Sequence, residues 1–426
     1  MLKKRTHFFL NSFSNKLITN FLSLTVLKGS NFLISLLITP YIIKSVGLGN
    51  YGLISVAFSL MTFFSVITEY GFNVSATRQV SVNRNDKETL SKIISNVLWC
   101  KLILLVISVL VYLLIVFTAA ALRQEWQLYL LSLTILLANV LFPVWFFQGI
   151  EDMKLLAVLS FISKIVYLVT IFSFIKEKTD YRYVNFLLGL SSLVISFTSL
   201  AIIFLKHRLR LMQPKIKSII VELKDGFLIF ISNFANLTYS SLNIILLEFI
   251  TKDKELVGQY SVAERVIDIF KQILGIFSQV IYPQLCLIYI NGLQSVLNFF
   301  KKNFTLFFVG IFFSSACLFV FSSGVIYFFI GHYDTAASLI LKGMSFVPII
   351  LALNTPSYQI LIVFNLKKSF SSVLVTGAFI SLISNALLCS QFGVMGTVAS
   401  VILTETFIAA ALFLSLLKGI QKGYIK

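Results

Sequence analysis

Apolar residues run along this chain in stretches of twenty or more, interrupted by short polar turns, and this spacing predicts membrane-spanning helices. A helix rising 1.5 Å per residue needs about 20 mostly apolar residues to cross a bilayer. That length picks out segments at 21–44, 53–74, 93–118, 126–147, 155–175 and 184–205, then at 227–250, 260–289, 303–330, 340–364, 370–390 and 394–417. Between the two sets lies a polar, basic stretch at 206–226 that contains Pro214. The expected organisation is a basic N-terminal segment (1–20), a six-helix half (21–205), a basic linker (206–226), a second six-helix half (227–417) and a short tail (418–426). The fold class is therefore an all-α integral membrane protein with about 12 transmembrane helices.

Composition agrees and excludes a soluble fold. Of 426 residues, 58% are hydrophobic and 12% charged, with a mean hydropathy of +0.93. Soluble domains carry about 25% charged residues. Charge then sets the expected orientation. Lys and Arg number 35 against 17 Asp and Glu. With both termini placed in the cytoplasm, 22 of those basic residues fall in inside loops and tails and 8 outside, as the positive-inside rule requires. Basic residues dispersed between apolar runs do not make a nucleic-acid surface; the partner they suit is an anionic leaflet. No cleavable leader is expected, because Lys3-Lys4-Arg5 leads into Asn11, Ser12 and Ser14.

The scarcity of charge makes each intramembrane charge informative, since an unpaired one costs several kcal/mol there. Five bases fall inside expected helices: Lys28, Lys101, Lys164, Arg265 and Lys271. Lys28 and Lys101 sit within two turns of a helix end, from which they either snorkel to the headgroups or face water inside. Lys164 and Lys271 are too deep for easy snorkelling and point to a hydrated interior. Among the acids, Glu405 lies about twelve residues into the last segment; it either carries a coupling ion or pairs with a neighbouring lysine. On the eighth segment, Glu264, Asp268, Lys271 and Gly275 share one helical face, and Arg265 neighbours Asp268. The seventh carries a polar stripe of Ser232, Asn233, Asn236, Tyr239, Ser240 and Asn243, suited to interhelical glue or to sugar contact. Asn139, Pro143, Asn354, Pro356 and Gln359 share that ambiguity, with the prolines as candidate kinks.

Enzymatic chemistry finds no support. Cys100, Cys286, Cys317 and Cys389 are far apart, and His7, His207 and His332 are scattered, so neither a metal site nor a catalytic triad is expected. The outer loops are too short for a polymerase or glycosyltransferase site. A faint internal echo, Gly49-Asn50-Tyr51 after the first segment and Gly258-Gln259-Tyr260 after the seventh, fits a duplicated transporter.

Several stretches carry a family resemblance. Pro40-Tyr41-Ile42-Ile43-Lys44-Ser45-Val46-Gly47, followed by Gly49-Asn50-Tyr51-Gly52, resembles the helix exit and glycine–tyrosine start of Wzx-type polysaccharide-unit flippases. These belong to the multidrug/oligosaccharidyl-lipid/polysaccharide (MOP) exporter superfamily. Glu69-Tyr70-Gly71-Phe72-Asn73-Val74-Ser75-Ala76-Thr77-Arg78 is similar to their most specific motif, with Glu69 where Asp is usual. Pro143-Val144-Trp145-Phe146-Phe147-Gln148-Gly149-Ile150-Glu151, Gly258-Gln259-Tyr260-Ser261-Val262-Ala263-Glu264-Arg265 and Gly393-Val394-Met395-Gly396 follow in family order.

The resemblance implies two pseudo-symmetric six-helix bundles around a central cavity. It also implies flipping of an undecaprenyl-diphosphate-linked oligosaccharide across a bacterial inner membrane, with a proton or sodium ion as the coupling species and no other cofactor. A polysaccharide polymerase and a chain-length regulator are the implied protein partners. On that reading Lys28, Lys101, Lys164, Arg265, Lys271 and Arg78 are the candidate diphosphate contacts. Glu405, Asp268 and Glu69 are the candidate coupling acids, and Asn73, Asn233, Asn236 and Asn243 the candidate sugar contacts. Within the superfamily, a lipid II flippase is disfavoured by helix number and a drug or cation antiporter by the basic interior.

Overall fold

The computed structural model describes residues 36–214 and 216–422, together with Gly29 and Ile34. Among them the regular structure is entirely helical. The chain opens with α1 (Leu36–Val46) and continues through α2 (Leu48–Glu69), α3 (Phe72–Val82), α4 (Lys87–Thr118), the single turn α5 (Ala120–Arg123), α6 (Trp126–Leu141), α7 (Val144–Gly149), α8 (Met153–Phe174) and α9 (Val184–Ala201). It then runs through α10 (Ile216–Thr251), α11 (Lys254–Ile288), α12 (Leu293–Val320), α13 (Ser322–Ile330), α14 (Thr335–Met344), α15 (Val347–Val363) and α16 (Lys367–Gln421). Nine helical stretches among the described residues are long and apolar enough to cross a membrane. The protein is an all-α, multi-pass membrane protein.

The expected 370–390 and 394–417 segments are the two arms of α16. The backbone leaves helical geometry at Gly393 (φ 56°, ψ −137°). Ser384 and Ser400 hydroxyls meet at 2.6 Å, and Thr397 donates to Asn385 Oδ1 at 3.1 Å. Contacts between residues 12 and 16 apart require the arms to lie antiparallel, so α16 is a helical hairpin. Gly393 takes a backbone conformation that side chains with a Cβ rarely adopt, and a Cβ on Gly396 would collide with the Leu388 carbonyl.

Several segment boundaries differ from the sequence expectation, each for a local reason. The 53–74 segment breaks at Tyr70 (φ 42°) and Gly71 (φ 81°). A Cβ on Gly71 would lie 2.9 Å from the Gly226 carbonyl oxygen, so both conformation and space call for glycine. The 126–147 segment breaks before Pro143, which pushes Phe142 to an extended backbone (φ −83°, ψ 108°). Pro356, in contrast, is accommodated inside α15. The 303–330 segment begins earlier, at Leu293, and divides at Phe321. The basic stretch 206–226 is only partly a linker, because α10 starts at Ile216.

The chain forms two compact units. The first contains residues 64–176 and 182–231, and the second 39–63, 177–181 and 232–426. The units are not the two contiguous halves, since residues 39–63 group with the second.

In the first unit the core is built on Trp145, Phe146 and Phe147, all fully buried, packed with Phe72, Val80, Ile94 and Val97. The aromatic run of the fourth segment is therefore core filling, each ring removing 150–250 Å² from solvent. Asp86 caps α4 by accepting from the Glu88 and Thr89 amides. The Thr89 hydroxyl also donates to it, and these bonds hold its carboxyl below the usual carboxylate range.

In the second unit, the start of α2 crosses the start of α11 at backbone distance. A Cβ on Gly52 would collide with the Lys254 carbonyl, and one on Gly258 with the Leu48 carbonyl. Gly258 of the sequence echo thus meets Gly52, not its counterpart Gly49, at this helix crossing, in the small-residue manner of membrane helices.

Candidate functional site

The second unit carries an open cavity of about 390 Å³ lined by α10, α11, α15 and both arms of α16. On α11 the spacing 271, 275, 278 turns Lys271, Gly275 and Ser278 to one face. Facing them are Ser232 and Asn233 of α10, Asn354, Thr355 and Tyr358 of α15, and Glu405 on the second arm of α16. Leu274, Leu351, Ile408 and Leu412 supply apolar wall. The volume is that of about a dozen water molecules at roughly 30 Å³ each.

Charge in this cavity centres on Lys271. Its ammonium pairs with Asp268 at 3.1 Å, one turn earlier on α11. It also lies in the fields of Glu264 and Glu405, and Lys271 is the charged neighbour of Glu405. Glu405 is buried (6% exposed), as is Glu264. Arg265 is half-buried beside Glu264 and Tyr51. Three carboxylates thus stand with two bases, and the excess carboxylate is one that a proton or a monovalent cation would neutralise. Asn354 adds a buried acceptor, Oδ1, with no hydrogen bond among the described residues.

The first unit holds a separate polar network. Lys101, 2% exposed, donates to the Asn139 carbonyl at 3.0 Å, and Glu69 is its charged neighbour. Asn139 Nδ2 donates to Ser65 Oγ at 2.8 Å, and Asn73 Nδ2 donates to Glu69 Oε2 at 3.2 Å. Lys101 does not snorkel; it is satisfied inside the bundle. Glu222, beside the linker, is likewise buried and accepts from Gln79 Nε2 at 2.9 Å.

Of the candidate residues, the cavity gathers Lys271, Glu405 and Asn233, with Asp268 against Lys271. Lys101, Glu69 and Asn73 meet in the network of the first unit. Lys164 is half-buried on α8, and Arg78 is exposed on α3. Neither lines the cavity. Asn243 is buried at 3% exposure and accepts from Asn385 Nδ2 at 2.7 Å, a place among helices rather than on a sugar-facing wall. Lys28 falls outside the described residues, and Asn236 lies on α10. Ser278, Thr355 and Tyr358 were not singled out by sequence, although 351, 355 and 358 repeat at helical spacing beside Asn354. Asn385 and Thr397 carried no signal at all, because their pairing depends on the α16 hairpin.

Comparison with known proteins fits this arrangement to a family. Residues 17–289 match the polysaccharide biosynthesis protein family. The chain belongs to that family. A relative from Escherichia coli (strain K12), named "Putative O-antigen transporter", is 27% identical over 93% of this chain and 95% of its own length. A Shigella dysenteriae protein of the same name is 25% identical over 91% of this chain and 97% of its own.

Solved structures show the same fold. An inward-facing multidrug resistance MATE transporter of the MOP superfamily superposes with a TM-score of 0.74 at 14% identity, covering 91% of this chain and 95% of that one. The lipid II flippase MurJ, in an inward closed conformation, gives 0.71 at 16% identity, covering 93% and 87%. This member of the polysaccharide biosynthesis protein family therefore has the all-α membrane fold of those MATE and MurJ structures.

Proposed function

We propose that the protein flips an undecaprenyl-diphosphate-linked oligosaccharide, the repeat unit of an O-antigen or related surface polysaccharide, across the bacterial inner membrane, with both termini in the cytoplasm. The reading is supported by family membership and by the names of the two relatives. The observation that carries its mechanism is Lys271, held with Asp268 and Glu405 around a cavity inside membrane-spanning helices.

In this mechanism the carboxylates and the diphosphate compete for the same ammonium. While Asp268 and Glu405 are ionised, Lys271 is neutralised and attracts an anion weakly. Protonation of either acid removes one of the two carboxylates that compete for this ammonium and so strengthens its charge-assisted hydrogen bond to the diphosphate. A proton, or a sodium ion in its place, thereby biases the two states of an alternating-access cycle, because affinity differs between them. Asn233, Ser232 and Tyr358 offer hydrogen bonds and an aromatic face to the sugar, while the polyprenyl tail remains in lipid. Lys28, Lys164, Arg265 and Arg78 are the further bases proposed along the path. Lys101 is proposed to act through Glu69. A polysaccharide polymerase and a chain-length regulator are the proposed partners downstream.

The experiment is direct. The gene is deleted, and a membrane-impermeant sugar probe is applied to right-side-out and inverted vesicles. Lipid-linked repeat units accumulating on the inner leaflet, and cleared by the wild-type gene, are the expected result. Single units reaching the outer face without being joined would identify a polymerase and overturn the reading.

A further inference from the structure

The segment between α9 and α10 is an ordered strap with an unusual division of charge. Its backbone is fastened to α4: Arg210 N–H donates to Ser91 Oγ at 3.1 Å, and Met212 N–H donates to Ser95 Oγ at 2.8 Å. Leu209 is buried as its anchor, and Cys100 Sγ reaches the Ile219 carbonyl at 3.8 Å. The strap thus presents one fixed face.

That face is both basic and apolar. Arg208, Arg210, Lys217 and Lys224 are all exposed, whereas the one acid between 207 and 224, Glu222, is turned inward onto Gln79. Beside the bases, Leu211 (59% exposed), Ile216 (76%), Ile220 (47%) and Val221 (54%) face outward although they precede the apolar run at 227–250. Ile216 and Ile220 stack at i, i+4 on α10, with Lys217 and Lys224 at the flank. Large apolar side chains bordered by lysine and arginine are the pattern of a helix lying in a bilayer interface, and uniform positive charge selects anionic headgroups.

We infer that residues 207–224 form an interfacial docking surface for anionic phospholipid, with Ile216 and Ile220 inserted among the acyl chains and the four bases on lipid phosphates. The surface fixes the junction between α9 and α10 against one leaflet. This is independent of the transported substrate and of the Lys271 cavity.

The test is hydrogen exchange on the full-length protein in nanodiscs of phosphatidylcholine, with and without phosphatidylglycerol. Amides of 207–224 are expected to exchange several-fold more slowly with phosphatidylglycerol. The R208Q/R210Q/K217Q/K224Q variant abolishes that difference, while K301Q/K302Q, on exposed bases of α12, leaves it intact. Phosphatidylglycerol retained in native mass spectra falls by roughly fivefold for each base removed. Equal exchange in both lipids, persistence of the difference in the quadruple variant, or its reproduction by inorganic phosphate in phosphatidylcholine would overturn the inference.

Discussion

The Lys271 ammonium lies 3.1 Å from the Asp268 carboxylate one turn before it on α11, and Glu405 of α16 lines the same cavity within the field of that ammonium. One base therefore serves carboxylates from two helices. Removing any of the three changes the field that acts on the others, so single and double substitutions test their roles.

Replacing Lys271 with Ala strands the acids and removes the proposed diphosphate contact. Surface polysaccharide is expected to fall at least tenfold, with membrane levels of the protein unchanged. Lys271→Arg, which keeps the charge, is expected to retain part of the activity. Immunoblotting alongside polysaccharide gels measures both, and normal polysaccharide in the alanine variant would remove Lys271 from the transport path.

Glu405→Gln keeps the shape of a neutral carboxyl but cannot release a proton. Transport in inverted vesicles is expected to persist at a reduced rate and to lose its response to an imposed ΔpH. If the response remains intact, Glu405 is not the coupling group.

In the first unit, Lys101→Ala leaves half-buried Glu69 without its neighbouring base, frees the Asn139 carbonyl and opens a cavity. Leaving a buried hydrogen-bonding group without its partner costs about 1–3 kcal/mol. The expected result is a large drop in melting temperature in detergent, partly recovered by adding Glu69→Gln, since that removes the stranded charge. A purely local role for Lys101 predicts additive effects and no recovery.

Gly258→Val places two methyl groups where the Leu48 carbonyl already lies. The crossing of α2 and α11 cannot move apart without disturbing both helix starts. Loss of folded protein is expected by fluorescence-detected size-exclusion chromatography, whereas Gly275→Ala, where a Cβ meets nothing within 4 Å, is expected to be tolerated.

How much was legible in the chain differs between its parts. Segment positions were readable because burial in lipid demands long apolar runs and satisfied backbone groups, and both are local properties. The face shared by Asp268, Lys271 and Gly275 was readable for the same reason, since helical spacing is periodic. Gly393 was readable as a separator of two segments, but not as the turn of a hairpin that brings Asn385 onto Thr397.

The sequence by itself determined an all-α membrane protein, the approximate positions of its apolar segments, and which charges had to be accounted for. Tertiary structure decided which charges met. Glu405 faces Lys271, Lys101 turns to Asn139 and Glu69, Asn243 is taken up by Asn385, and Glu222 is folded inward from a stretch that read as a solvated linker. The physical reason is the range of the interactions. Hydrophobic length and helical period act over a few neighbouring residues, whereas an ion pair or buried amide is satisfied by whatever the packing brings within about 3 Å, and that partner is often more than a hundred residues away.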